Sequence, residues 1–177
     1  MYMAPGMDDG DIISSEKIKI EDDDTTGIIH DKLMVLGAEL LIKTLPSIIK
    51  GTNKRIKQDE SKVTFAKIIK KEDEVLDFSN TAEEVYNKIR GLNPYPAAYT
   101  LFEGKRMKIY SSKVIRNNSK EKCGTIVEID KDGIVVKCGK DAVMLKEIQI
   151  EGKKRMNVEE FLNGKKKEQL LNKVLGE

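Results

Sequence analysis

Glu103-Gly104-Lys105, Asp132-Gly133 and Gly139-Lys140-Asp141 are three tight-turn signals, and they force the second half of the chain to reverse direction repeatedly. Glycine and aspartate tolerate the positive φ that short hairpin loops require, so these positions punctuate strands. Between the turns, apolar residues alternate at Met107 and Ile109, at Val143 and Leu145, and less strictly at Ile126 and Ile129. A period of two places each set on one face of a sheet. From Ala97 onward the chain therefore reads as a meander of four or five short strands. Asn157 and Glu160 then open a short helix that contains Phe161 and Leu162 and stops at Gly164. Strands of this length with helices at their ends predict an α+β domain. Its centre is a small antiparallel β-barrel of the oligonucleotide-binding type.

The residues upstream prepare that barrel. Val75 to Phe78 forms a short extended piece, and Thr81 with Glu84 makes a capping box for a helix through Arg90. Val85, Ile89 and Leu92 lie on its inward face. Asn93-Pro94-Tyr95-Pro96 follows as a stiff connector, since proline fixes its own φ and restricts the residue before it. Residues 51–62, GTNKRIKQDESK, are polar and aperiodic and read as a linker. Before them, Met1-Tyr2-Met3 reads as the end of a buried strand, and Ile12-Ile13 with Ile18-Lys19-Ile20 as a second extended stretch. Asp24 and Thr25 cap a helix carrying Ile29, Leu33, Leu36 and Leu40 on one stripe. Asp22, Asp23 and Asp24 suit the positive end of its dipole. Pro46 kinks or restarts that helix and Gly51 ends it. Strand, loop, strand and helix are the last piece of an α/β unit, too small to close a core alone. The resulting division is 1–50, a linker at 51–62, and a barrel domain at 63–177.

Composition excludes several classes. The 177 residues are 39% hydrophobic and 35% charged, enough for one domain plus a fragment with a heavily solvated surface. Cys123 and Cys138 stand apart, with no CxxC and only one histidine in the chain. Zinc and a structural disulfide are therefore not predicted, and both residues read as buried thiols in a reducing cytosol. There is no apolar run of the roughly eighteen residues that spans a membrane, and no secretion-signal pattern at the start. Charge is uneven: residues 1–51 hold 10 acids against 5 bases, and the remainder 20 against 27. The basic part is suited to a polyanion, or to solubility alone.

MAPGMDDGD, at the start, packs three aspartates and two glycines into residues 6–11. Such a run is a solvated turn, or a rigid loop that aims a carboxylate into a cleft.

Several separated stretches together resemble one family, methionyl-tRNA formyltransferase, in its C-terminal part. MAPGMDDGD is similar to that family's M-x-x-G-L-D-T-G-D loop, and DDTTGIIHDKL to its D-T-S/T-G-x-L-x-x-K-L helix opening. IRGLNPYPAAYT resembles I-R-x-x-N-P-W-P-x-A, with Tyr95 in place of tryptophan. IQIEGKKRMNVEEFLNG resembles L-Q-x-x-G-K-K-x-M-x-x-x-x-F-L-x-G. The resemblance implies that residues 1–50 are the end of a Rossmann-like formyltransferase domain. It implies transfer of a formyl group from 10-formyltetrahydrofolate, as co-substrate, to initiator methionyl-tRNA in translation initiation. Asp8 is then the catalytic aspartate, and Gly6, Met7, Asp8 and Gly10 border the folate site. No metal is implied. Lys153, Lys154 and Arg155, with Lys105, Arg106 and Lys108 on a neighbouring hairpin, are the implied tRNA contacts. The family's catalytic asparagine and histidine fall upstream of residue 1, so this chain is expected to be inactive without the missing N-terminal half. His30 does not match them. A cytoplasmic, monomeric enzyme follows from the same likeness. A non-catalytic RNA-binding barrel and a formyltransferase acting on a nucleotide sugar are the alternatives.

Overall fold

The computed structural model describes residues 1–163 and 165–176, so the helix stop assigned to Gly164 lies outside the described residues. Contacts divide the chain into two compact units: Met1–Asp24 with Ile28–Ile68, and Thr25–Gly27 with Ile69–Glu177.

The second unit holds the sheet. Its strands are β1 (Tyr99–Phe102), β2 (Lys105–Ile115), β3 (Ile126–Ile129), β4 (Ile134–Lys137), β5 (Ala142–Ile150) and β6 (Met156–Asn157). All pairings are antiparallel, in the order β1-β2-β5-β4-β3, with β6 added to β5. The three turn signals sit where the sequence places them. Glu103 and Gly104 both adopt positive φ, 52° and 72°, which matches the twist of the strands they join. The Asp130 carboxylate accepts from the N–H groups of Asp132 and Gly133 at 2.7 and 2.8 Å and closes the second turn. Gly139 approaches the Ser79 carbonyl so closely that a Cβ would lie 2.1 Å from it, which excludes any other residue.

Met107, Ile109, Ile126, Val143, Leu145 and Ile148 turn inward and are buried, while Ile129 is half-buried. Helix α2 (Ala82–Gly91) lays Val85 and Ile89 on this face, each contributing roughly 1.5–3 kcal/mol by burial. Thr81 and Glu84 form the reciprocal capping box, with Thr81 N–H donating to the Glu84 carboxylate at 2.8 Å. Helix α3 (Val158–Leu162) buries Val158 and Phe161, and the Phe161 ring meets Phe102 edge-on at 5.9 Å. Asn157 occupies the N-cap position of α3 but its side chain makes no capping bond. The short piece at Val75 is a single parallel bridge to Tyr99, with Leu76 and Phe78 buried beside it.

The strand order leaves β1 and β3 as edges, and the C-terminal tail bonds to both. Ile126 N–H donates to Lys173 O, Asn172 N–H to Ile126 O and Leu175 N–H to Gly124 O, while Gly176 N–H reaches Leu101 O within β1. The curled sheet is thus closed across its seam by chain that, among the described residues, makes one strand-like bridge, Thr125 with Val174. Cys138 is buried, and burial pushes its thiol up to about 11. Cys123 departs from the sequence reading: it is half-buried at the edge of the core.

The first unit differs more from expectation. Met1-Tyr2-Met3 is not a strand, and Met1 and Met3 are exposed. Ile18-Lys19-Ile20 also forms no ladder; the unit's one bridge joins Ile12 to Ile56. A strand needs a neighbour for its backbone groups, and the sequence pattern could not show that none lies beside these segments. Helix α1 (Thr26–Ile49) runs through Pro46 without a break and ends before Gly51, whose φ is 65°. None of its residues is buried: Ile29, Leu36 and Leu40 are half-covered, and Leu33 is exposed. The Asp24 carboxylate accepts from Glu21 N–H at 2.9 Å and from the Lys32 ammonium at 2.7 Å.

If the tail seals the seam, Leu175→Ala should destabilise the second unit by about 2–5 kcal/mol, the cost of a buried leucine. Leu171→Ala, at an exposed position of the same tail, should change stability by no more than about 0.5 kcal/mol. Urea unfolding of both variants measures this; equal effects would mean that the seam is held elsewhere.

Candidate functional site

Residues 2–11 form a closed loop, because Tyr2 N–H donates to Asp11 O at 2.9 Å. Gly10 is buried at its neck, where a Cβ would lie 1.9 Å from the Tyr2 carbonyl oxygen. Its missing side chain is therefore required by the loop's own closure. At Gly6 a Cβ would lie 2.2 Å from the Asp9 carboxylate, which folds over that turn. Asp8 has φ of 54°, a left-handed conformation that aspartate adopts more readily than most non-glycine residues. Its carboxylate is exposed, as is the Met7 side chain at 93%. The loop thus presents an acid and an apolar side chain side by side in sequence, on a backbone tied at both ends.

The ties come from the stretch that the sequence reads as a linker. Gln58 donates both N–H groups of its side-chain amide, one to Asp8 O at 2.7 Å and one to Gly10 O at 2.8 Å. Arg55 pairs with Asp11 at 3.0 Å and lies over the Tyr2 ring, 4.4 Å from its centroid. Tyr2 Oη and the Asn53 amide exchange hydrogen bonds at 3.0 and 2.8 Å. The Ile12–Ile56 bridge, with bonds of 2.8 and 3.0 Å, sets this segment alongside the loop. Sequence reasoning missed Asn53, Arg55 and Gln58 because a polar stretch that satisfies a loop has the composition of one that merely faces water. Only the bridge distinguishes them. A shallow cavity of about 230 Å³ in the same unit is lined by Ser14, Leu40, Lys43 and Asn53, among others, and residues 6–10 do not line it. His30 is exposed on α1 and contacts Asp31 at 3.0 Å.

In the second unit the two basic stretches come together. Arg106 and Glu151 bond through their backbones, and β2 pairs Lys108 with Gln149 of β5. This register sets the hairpin of Lys105 and Arg106 against the turn that carries Lys153, Lys154 and Arg155. The outward face also carries tyrosines. Arg106 lies 5.0 Å from the Tyr99 ring centroid and Arg155 4.2 Å from that of Tyr110. Arg155 is committed: it forms a two-point pair with Glu147 at 2.7 and 2.5 Å, which raises its already high affinity for a proton. Lys108 donates to Pro96 O at 3.0 Å. Lys105, Lys153 and Lys154 are exposed to solvent and suited to meet phosphate. In the connector, Asn93 donates to Tyr110 O at 2.7 Å, and the Tyr95 ring is 83% exposed. Lys165 lies over the Phe161 ring at 4.6 Å. Among the described residues no group of three or more His, Cys, Asp or Glu side chains could hold a metal ion. No helix among them is long and apolar enough to cross a membrane.

Comparison with known proteins gives the family. The chain is 48% identical over 165 residues to the methionyl-tRNA formyltransferase of Bacillus subtilis (strain 168), covering 93% of this chain and 52% of that protein. It is 46% identical over 165 residues to the enzyme of the same name from Staphylococcus aureus (strain MW2), covering 93% of this chain and 53% of that one. The chain therefore spans about half the length of the curated relatives it matches. Among solved structures, a HypX variant from Aquifex aeolicus superposes with a TM-score of 0.70 at 14% identity, over 96% of this chain and 31% of that one. The sugar 3N-formyl transferase WlaRD gives a TM-score of 0.56 at 20% identity, over 84% and 52%. At these identities the two structures establish a shared fold only. The sequence profile described as "Formyl transferase, C-terminal domain" matches residues 68–166, more than half of the chain. The chain belongs to the formyl transferase C-terminal domain family.

Proposed function

We propose that this chain is the C-terminal part of a methionyl-tRNA formyltransferase, which moves a formyl group from 10-formyltetrahydrofolate to the amino group of initiator methionyl-tRNA. The observation that carries the reading is the 46–48% identity to relatives of that name across nearly the whole chain. A sugar formyltransferase shares the fold at 20% identity, which gives no comparable support for a sugar substrate. HypX from Aquifex aeolicus, a structural neighbour at 16% identity and a TM-score of 0.68, was solved in complex with tetrahydrofolic acid. The reading places the enzyme in the cytoplasm, as a monomer.

The loop of residues 2–11 fits a place beside the co-substrate, which supplies the formyl carbon. Exposed Met7 offers an apolar surface, Gly6 and Gly10 keep the backbone compact, and Asp8 offers a fixed negative charge. As the amine attacks, negative charge grows on the formyl oxygen and positive charge on nitrogen. A protonated histidine, supplied by the half outside this chain on the family likeness, is suited to the oxygen. Asp8 favours that protonated form and fixes the ring's orientation. The same missing half accounts for α1, a 24-residue helix with no buried residue that exposes Leu33, Met34, Leu41 and Ile42. In the second unit, Lys105, Arg106, Lys153 and Lys154 hold the acceptor tRNA through its phosphates. Arg155, over the Tyr110 ring, and Lys108, bonded to Pro96 O, flank them.

Preceding this chain with the upstream half of the Bacillus subtilis relative should restore formylation of methionyl-tRNA. Asp8→Asn should then lower kcat by about 10²–10⁴-fold. Asp9→Asn should be nearly silent. Equal losses from both would reduce the loop to a shape and end the assignment; formylation of an amino sugar in place of methionyl-tRNA would move the enzyme to the other class.

For the basic face, three to five phosphate contacts should give a log affinity that falls with log salt at a slope of about −2 to −5. Lys153→Ala should reduce that slope by about 1. Arg155→Ala should alter it less, its charge being met by Glu147. Filter binding of initiator tRNA across a salt series decides, and a salt-insensitive affinity removes the tRNA from this unit.

The division is also part of the proposal, with residues 63–177 folding alone and the cleavable join lying beyond Gln58, since Asn53, Arg55 and Gln58 are tied to the first unit. Limited proteolysis should cut between about residues 60 and 71 and leave the barrel intact. Survival of the first fifty residues with loss of the barrel would reverse the assignment.

A further inference from the structure

We propose that Gln58 is a positioning residue for formyl transfer: it holds the Asp8 carboxylate in its working orientation by clamping the loop backbone on both sides of Asp9. The inference rests on the role given to Asp8 above. Both donors of one carboxamide are used within the same loop, on Asp8 O at 2.7 Å and Gly10 O at 2.8 Å. Those two carbonyls belong to the 8–9 and 10–11 peptide units, so the clamp fixes the orientation of both and spans Asp9 and Gly10 between them. Asp8 meanwhile holds φ at 54°, which crowds its Cβ against its own backbone. Rotation to negative φ would swing the carboxylate away, and the grip on the Asp8 carbonyl opposes it. Gly10 supplies no alternative restraint on Asp8, since its own packing is against Tyr2 O.

Gln58 is itself placed to act as a fixed arm. It is half-buried and lies two residues beyond Ile56, whose bridge to Ile12 starts the pairing at the far side of the loop. Arg55 holds Asp11 from the same segment at 3.0 Å. The chemistry selects glutamine. Asparagine is one methylene too short to reach both carbonyls, and an ionised glutamate would set oxygen against oxygen. Neither Arg55 nor Asn53 touches Asp8, so the clamp on that residue belongs to Gln58.

The enzyme to test is this chain preceded by the upstream half of the Bacillus subtilis relative. Gln58→Ala should lower kcat by about 10²-fold, the scale of a misplaced reacting group, and leave KM for methionyl-tRNA close to its parent value. Gln58→Asn should recover only part of the loss. The decisive measurement is the pair with Asp8→Asn. If Gln58 acts through the Asp8 charge, Gln58→Ala should have almost no further effect once that charge is gone. Losses that multiply, or an undiminished kcat in Gln58→Ala, overturn the proposal. In this chain as it stands, Gln58→Ala should speed cleavage before Asp8 and Asp9 by an endoproteinase specific for aspartate, without faster loss of the second unit. An unchanged rate also overturns it. A parent enzyme that fails to formylate methionyl-tRNA would overturn the reading under Proposed function, while the digestion still decides whether Gln58 holds the loop.

Discussion

The ladder between β2 and β5 is the constraint on which the second unit depends. It runs from Met107 opposite Ile150 to Ile115 opposite Ala142, and is interrupted by register shifts around Ser111. Because side chains alternate, this register puts Met107, Ile109, Ile148 and Ile150 inward, and the shift that leaves Lys146 unpaired brings Leu145 to the same face. It also puts Lys108, Tyr110 and Gln149 on the opposite face, where Tyr110 Oη donates to the Gln149 side chain at 2.9 Å. A slip of one residue would exchange core and basic face together. The register shift leaves Tyr110 unpaired in the ladder, and its carbonyl is taken up by Asn93 from the proline-rich connector. Core, connector and charged surface are therefore set by one pairing.

The first unit is organised on a different principle. Its loop is held by side chains acting on backbone: Gln58 on two carbonyls, Arg55 on a carboxylate, Asn53 on a phenol. Such contacts fix direction without burying much apolar surface, and α1 confirms the shortage, with no buried residue along its length. Hydrogen bonds of this kind contribute only about 0.5–1.5 kcal/mol each, so they orient a loop more readily than they stabilise a fold. On the proposed reading that is appropriate, since the apolar face of α1 awaits the rest of a catalytic domain whose curated relatives are about twice as long.

Much of the second unit was legible in the residues. The turn at Glu103-Gly104 needs positive φ twice, the capping box at Thr81 and Glu84 needs its three-residue spacing, and both are where the sequence puts them. The tight acidic turn of residues 6–11 was also legible, through the glycines that its closure requires. Gln58 was not. Its neighbours are polar and aperiodic, and nothing in their order shows that Ile56 bridges to Ile12. Met1-Tyr2-Met3 shows the converse, an apolar triplet that reads as a strand and pairs with no strand among the described residues.

By itself the sequence determined what local sterics and periodicity can determine: where the chain turns, which face of each strand or helix is apolar, and which loop carries the acidic residues. The tertiary structure alone decided which distant segments meet. It brought the C-terminal tail to both edges of the sheet, the 151–155 turn to the β1–β2 hairpin, and Gln58 to the carbonyls of Asp8 and Gly10. Long-range contacts of this kind carry no periodic signature. A hydrogen-bond donor fifty residues away satisfies a carbonyl as well as a near one, and the choice is made by how the whole chain packs.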